Sequence, residues 1–207
     1  MRDCFPSLIQ KASMAIDLSK FTNSWYSPGR SRNFQALWYA VGLPILRSCW
    51  VPSYSVRRQV LRLFGAKIGC GVVIKPGVRV KYPWFLEIGD HSWIGEDVWI
   101  DNLALVQIGA NVCLSQGAYL CTGNHDWSDP AFGLIVQPIV IHAGAWVGAK
   151  TIVGPGAVIG LQAIATAGSV VTGNLDPDTI YSGNPAVARK ARVIRTEEAR
   201  YFTPAAE

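Results

Sequence analysis

The stretch IHAGAWVGAKTIVGPGAVIG, residues 141–160, decides the fold, because an aliphatic side chain returns every sixth position at Ile141, Val147, Val153 and Ile159. The period continues downstream to Ala165 and Val171. Upstream it runs through three blocks: Ile68, Ile74, Val80; Ile88, Ile94, Ile100; and Ile108, Leu114, Leu120. Four residues after twelve of these fifteen positions stands a second small or β-branched residue: Val72, Val78, Ser92, Val98, Ala104, Val112, Ala118, Ala145, Thr151, Ala157, Ala163 and Ser169. This double pattern is that of a hexapeptide repeat, in which each repeat forms one flat side of a prism and its turn, and stacked sides pair as parallel strands.

The interruptions locate the function. Two extra residues intervene between Val80 and Ile88, two between Ile100 and Ile108, and fifteen between Leu120 and Ile141, always after a third repeat. If three repeats close one coil, every insertion leaves the prism at the same corner. Coils stack about 4.8 Å apart, so side chains of neighbouring insertions can touch there. The reading predicts an all-β chain, a parallel β-helix of about five coils over residues 65–186, with an inserted loop at 121–140. An N-terminal extension, 1–64, precedes it and a basic tail, 187–207, follows.

Composition agrees. The 207 residues suffice for a sizeable core, 20 glycines and 16% charged residues suit a solenoid of tight turns, and a 50% apolar content argues against disorder. The net charge of +5 fits an anionic co-substrate or membrane surface, with a solvated basic face as the plain alternative. No basic motif interleaved with aromatics points to nucleic acid. Five cysteines (Cys4, Cys49, Cys70, Cys113, Cys121) without CxxC spacing imply reduced thiols, and the N-terminus lacks the apolar run of a signal peptide. A cytoplasmic location is expected, with peripheral contact to the inner membrane as its variant.

In the extension, FQALWYAVGLPILRSCWVP at 34–52 is the most apolar stretch, but it is too short to span a bilayer and is broken by Pro44 and Arg47. The following SVRRQVLRLFG places Val56, Val60, Leu61 and Phe64 on one helical face and Arg57, Arg58 and Arg62 largely off it, with Gly65 ending the helix. Two roles compete: covering the open edge of the first coil, or an interfacial membrane contact in which arginines meet anionic headgroups.

The long insertion, LCTGNHDWSDPAFGLIVQP at 120–138, carries His125 among Asn124, Asp126, Trp127 and Asp129, and it emerges beside Asp101 and Asn102 of the preceding insertion. A lone histidine in a polar loop is usually a surface residue. Here the solenoid otherwise excludes loops, and an imidazole that ionises near neutrality suits a general base whose tautomer a neighbouring carboxylate or amide fixes.

The runs IGANVCLSQGAYLCTGNHDWSDP, IVIHAGAWVGAKTIVGPGAVIG and AGSVVTGNLDPDTIYSGNPA resemble the hexapeptide-repeat O-acetyltransferases of the maltose and galactoside acetyltransferase group. Within that group they most resemble the branch that acetylates sugars in colanic-acid-type exopolysaccharide synthesis. The resemblance covers roughly residues 54–192, and Ser-Gly-Asn-Pro-Ala at 182–186 is specific to that superfamily. It implies a left-handed β-helix, a homotrimer, and acetyl-CoA bound between adjacent subunits. His125 falls on the family's catalytic histidine, Ala149 and Ala167 on positions whose amides hold the pantetheine arm, and Thr172 on a position near the CoA nucleotide. Lys190, with Arg189, falls on a basic position that meets the CoA phosphates. The chain departs from the pattern at Gly173, where relatives often carry lysine, and at Val187, where galactoside acetyltransferases carry arginine. Gly95 stands where those enzymes have a substrate-orienting asparagine, which shifts the supporting role to Asp101, with Asn102 as understudy.

The implied chemistry is transfer of acetyl from a thioester to a hydroxyl of a free sugar or lipid-linked oligosaccharide. It requires positioning at about 3 to 3.5 Å, a base, and an oxyanion donor. Trp127 and Trp84 are candidates to stack on a sugar face, packing being the alternative. A covalent route through Cys121 is disfavoured, because the donor is already a thioester and Cys121 directly follows core Leu120. Competing classes are a serine or antibiotic O-acetyltransferase, a non-catalytic scaffold, and a zinc-dependent β-helical carbonic anhydrase. His91, His125 and His142 lack the close pair that zinc enzyme needs, so no metal is expected.

Overall fold

The computed structural model describes residues 16–194; residues 1–15, Cys4 among them, and 195–207 lie outside the described residues. Residues 67–182 wind into a parallel β-solenoid with three sheets as sides. The first sheet stacks Lys67–Ile68, Leu86–Ile88, Val106–Ile108, Ile139–Ile141 and Val158–Ile159. The second stacks Val73–Ile74, Trp93–Ile94, Cys113–Leu114, Trp146–Val147, Ile164–Ala165 and Thr179–Ser182. The third stacks Arg79–Val80, Trp99–Asp101, Tyr119–Cys121, Ile152–Val153 and Val170–Val171.

The register follows the period. Val80, Ile100 and Leu120 stand over one another, as do Ile88, Ile108 and Ile141, so each aliphatic column is a continuous inner seam. All fifteen aliphatic positions are buried, and so are eleven of the twelve secondary ones, Ala104 being half-buried. Where insertions displace the secondary position, Leu86, Val106 and Ile139 fill the corner instead. They lie two residues before the next aliphatic, so the packing rule survives when counted backwards from the following repeat.

The expectation of about five coils is one short: a partial sixth follows, in which Leu175 bridges Ile159 and Thr179–Ser182 extends the second sheet. Its sequence, LDPDTIYS, keeps the six-residue spacing between inward Leu175 and Tyr181, but only four residues separate Leu175 from Val171, so the coil starts out of step with the period. The tail then folds back as an antiparallel strand, Val187–Ala191, beside Thr179–Ser182.

Among the described residues the extension forms a short 3-10 turn, Leu18–Lys20, and three α-helices, α1 (Arg32–Leu37), α2 (Leu43–Arg47) and α3 (Tyr54–Leu63), with one wide turn, Trp38–Gly42, joining α1 to α2. The Ser31 hydroxyl accepts the Phe34 amide at the start of α1, and Trp38, Gly42 and Leu46 form the buried stripe of this continuous helix. A first coil has no coil beneath it, so its lower carbonyls need other donors. Arg62 bonds the Ile68 carbonyl (2.7 Å), Arg58 that of Val72 (2.7 Å), and Trp38 Nε1 that of Val80 (3.1 Å). Of the two competing roles, these bonds favour covering the edge, since Arg58 and Arg62 are spent on first-coil carbonyls and do not stand free for headgroups. Arg57 is 1% exposed and bonds the carbonyls of Leu46 and Ser48, whereas Val56, expected on the packing face, is exposed.

Candidate functional site

All three insertions leave the prism between the third sheet and the first. The long one is a small hairpin, Gly123–His125 against Leu134–Val136, with His125 opposite Leu134. Its base is tied to the coil below through Thr122, whose buried hydroxyl accepts the Ala104 amide at 3.1 Å, while the Thr122 carbonyl accepts Gln137 N at 2.9 Å.

Three groups fix the imidazole. His125 Nδ1 lies 2.9 Å from the Phe132 carbonyl, its ring stacks on the Phe132 ring (centroids 4.6 Å apart, 10° between planes), and Phe21 closes the other side at 5.5 Å. A carbonyl only accepts, so Nδ1 carries the proton and Nε2 presents a lone pair, the form a general base needs. The carbonyl is aimed by a strained turn: Phe132 has φ +54°, and the Asp129 carboxylate accepts the amides of Ala131 (2.9 Å) and Gly133 (3.0 Å). Phe21 comes from the extension, whose segment at 17–28 follows this corner. Asp17 N bonds Pro130 O, Tyr26 Oη bonds Leu103 O, and Trp84 Nε1 bonds Pro28 O. Sequence reasoning missed Asp129, Phe132 and Phe21 as holders of His125. The Asp-Pro-Ala-Phe-Gly run at 129–133 is a turn signal that pointed to the first two, but nothing in the sequence linked Phe21 to a loop a hundred residues away.

Of the other expected residues, some are not where the chemistry needs them. Asp101 does not orient His125 within the chain: its carboxylate pairs with Lys81 (2.9 Å) and accepts the Tyr119 hydroxyl (3.3 Å). Burial raises the pKa of that tyrosine well above the ordinary phenol value, which keeps it a donor. Asn102 is fully buried and spends its amide on the Tyr82 backbone and the Phe85 carbonyl, so it holds the preceding insertion rather than an acceptor. Trp84 stacks on Tyr82 and packs against Phe34, fastening the extension. Asn124, Asp126 and Trp127 do flank His125. Asn124 Oδ1 accepts the His125 amide, Asp126 is lowered in pKa by its bond from the Ser128 hydroxyl, and Trp127 is 81% exposed. Cys121 is half-buried with Sγ donating to Gly123 O.

Ala149 and Ala167 occupy equivalent turns of successive coils, between the second and third sheets, and their amides have no protein acceptor among the described residues. A Cβ at Gly148 would stand 2.4 Å from the Ala167 nitrogen, so glycine is required for these turns to stack. Thr172 is exposed at the histidine corner of the fifth coil. Arg189 bonds the Ser182 hydroxyl, Lys190 is exposed beside it, and Arg192 is spent on the carbonyls of Gly144 and Gln162. Among the described residues no group of three His, Cys, Asp or Glu side chains is placed to hold a metal.

No family model matches the chain. Against curated proteins it is 43% identical over 159 residues to the colanic acid biosynthesis acetyltransferase WcaF of Escherichia coli, itself a provisional assignment, covering 76% of this chain and 86% of that one. The chain belongs to the hexapeptide-repeat acetyltransferases. It falls in their maltose and galactoside O-acetyltransferase group: the galactoside O-acetyltransferase of Escherichia coli is 25% identical over 149 residues, 70% of this chain and 72% of that one. The fold agrees with that of a hexapeptide-repeat acetyltransferase of Vibrio cholerae solved with acetyl coenzyme A (TM-score 0.70, 24% identity, 78% of this chain and 88% of that one). The imidazole corner and the unbonded turn amides therefore belong to an acyltransferase.

Proposed function

We propose that the protein transfers acetyl from acetyl-CoA to a sugar hydroxyl in exopolysaccharide synthesis, with His125 as general base. The observation that carries this reading is the imidazole itself, held by the Phe132 carbonyl and two aromatic rings so that Nε2 is the basic atom. The kinship to WcaF and to galactoside O-acetyltransferase supports the donor and the acceptor class. Nε2 accepts the proton of the acceptor hydroxyl as its oxygen attacks the thioester carbonyl. The tetrahedral oxyanion takes a bond from a backbone amide, and collapse expels the CoA thiolate, which recovers the proton. Trp127, Asn124 and Asp126 are the acceptor-side contacts. The amides of Ala149 and Ala167 hold the pantetheine arm, and Thr172, Arg189 and Lys190 the nucleotide end.

The histidine loop and the Ala149 and Ala167 turns flank opposite edges of the third sheet. A reaction that uses both is supplied most simply by two copies, which supports a homotrimer with sites between subunits. The outer ladder of the second sheet also supports association: Val73, Trp93, Cys113, Trp146, Ile164 and Ile180, with Trp93 59% and Trp146 46% exposed. Light scattering that gives a monomer refutes the shared site.

The test of function is CoA release against a panel of free and lipid-linked sugars. His125→Ala is expected to lower turnover by roughly 10² to 10⁴ with acetyl-CoA affinity and oligomeric state intact, and His125→Asn to do no better, since an amide does not take the proton. Near-normal turnover in His125→Ala refutes the general base. Acceptance of serine or an antibiotic but no sugar refutes the acceptor class.

A further inference from the structure

The modest net charge hides a strong polarity along the solenoid. Residues 18–86, which build the helical extension and the first coil, contain eleven Lys and Arg side chains and no Asp or Glu. From residue 87 to residue 194 nine acidic side chains outnumber four basic ones. The boundary is bridged by Lys67–Glu87, Lys75–Glu96 and Lys81–Asp101, each joining the first coil to the second. Arg30, Arg32 and Arg47 make no ion pair among the described residues.

On this positive end lies an unusual helix. Residues 33–46, NFQALWYAVGLPIL, carry no charge at all, although only one stripe of them, Trp38, Gly42 and Leu46, is needed to cover the first coil. Phe34, Leu43 and Ile45 are half-buried beside that stripe, and the opposite face looks outward: Ala36, Leu37, Ala40, Val41 and Pro44 are exposed, Leu37 at 50% and Val41 at 46%. Arg32 and Arg47 bracket this apolar stripe, and Trp50, 90% exposed, follows it. A surface helix in water normally turns charged residues outward. No described helix is long and apolar enough to cross a membrane.

We infer that this end of the solenoid rests on an anionic lipid surface. The outer stripe of residues 36–44 and Trp50 enter the boundary between headgroups and acyl chains, and Arg30, Arg32 and Arg47 meet the lipid phosphates. A second copy is the weaker occupant, because docking end to end would bring two acid-free, cationic ends together, while side-by-side association leaves the end faces free. Nucleic acid would use the arginines but gives Leu37, Val41 and Trp50 nothing apolar to enter. The histidine loop leaves the third coil, two spacings or ~10 Å above the first, and the segment at 17–28 joins that loop to the capped end. The inference does not depend on which hydroxyl is acetylated.

The test is co-sedimentation of the full chain with vesicles of phosphatidylcholine alone and of equal parts phosphatidylcholine and phosphatidylglycerol, at low and high salt. Binding to the anionic vesicles that salt weakens is expected. Leu37→Ser with Val41→Ser, both at exposed positions, should lower the partition coefficient about thirtyfold by removing two half-buried apolar contacts. Arg32→Ala with Arg47→Ala should lower it by a similar factor on anionic vesicles only. Unchanged thermal unfolding and particle size in each variant show that the fold is kept. Absence of binding by the parent chain overturns the inference. So does binding that survives Leu37→Ser with Val41→Ser undiminished, which reveals generic attraction to anions, or growth into larger particles without vesicle binding, which reveals a second copy on this face.

Discussion

Replacement of Asp129 by alanine tests whether the turn, and not merely the presence of His125, makes the imidazole effective. The carboxylate accepts two amides, Ala131 N at 2.9 Å and Gly133 N at 3.0 Å, on either side of Phe132, which stands in the left-handed region at φ +54°. Hydrogen bonds to a charged group contribute about 1.5 to 3 kcal/mol each, and a half-buried carboxylate in this loop gives nearer 1 kcal/mol each. Against the roughly 1 kcal/mol that a non-glycine residue costs in this region, the two bonds leave a margin of about 1 kcal/mol holding the Phe132 carbonyl toward His125 Nδ1. Without them the turn relaxes and the Nδ1 bond, worth a further ~1 kcal/mol, goes with it. The productive orientation becomes rarer by about 5- to 30-fold, since 1.4 kcal/mol corresponds to tenfold. Steady-state kinetics with thiol detection of released CoA should therefore show kcat lowered by that factor and the Michaelis constant for acetyl-CoA unchanged. Asp129→Asn, which keeps one acceptor oxygen, should recover about half the loss on a logarithmic scale. Thermal unfolding should move little, because the hairpin lies outside the coils. An unchanged kcat in Asp129→Ala refutes the positioning role. An Asn variant as poor as the Ala variant shows that charge, not acceptor geometry, is what matters.

Asn102→Ala strands the Tyr82 amide and the carbonyls of Tyr82 and Phe85 in a buried corner. A loss of about 2 to 4 kcal/mol is expected, seen as a fall in melting temperature of roughly 5 to 15 °C, with acceptor affinity in the surviving fold unaltered. Arg58→Ala with Arg62→Ala bares the carbonyls of Val72, Ile68 and Gly69 at the edge of the first coil, and light scattering on heating should report earlier aggregation than in the parent. Arg189→Ala with Lys190→Ala should raise the Michaelis constant for acetyl-CoA and flatten its salt dependence. The same constant in low salt would mean that these side chains only face solvent.

Much of the molecule was legible in its residues. A six-residue period fixes which side chains point inward, and because stacked coils repeat the same contacts, the period also fixes the register that places Ile100 over Val80 and Leu120 over Ile100. The offsets between blocks marked the loop-bearing corner, and one histidine in the longest insertion marked the candidate site. The partial sixth coil was not legible, because the step from Val171 to Leu175 is four residues instead of six and puts Leu175 and Tyr181 out of step with the repeats before them. Nor were the partners of the polar side chains. Asp101, and Asn102 after it, read as available beside His125, yet one is held by Lys81 and Tyr119 and the other is sealed under Tyr82. The α3 arginines read as outward-facing by helical spacing, yet they bond the lower carbonyls of the first coil. That bonding depends on which backbone groups a coil edge leaves without partners, and only the assembled solenoid has such an edge. Phe21 reaches His125 for the same reason. A repeat encodes contacts between neighbours at a set spacing, whereas a segment that runs back along the outside of the prism makes contacts at separations no local pattern carries. Those contacts are decided only when the tertiary structure brings the two surfaces together.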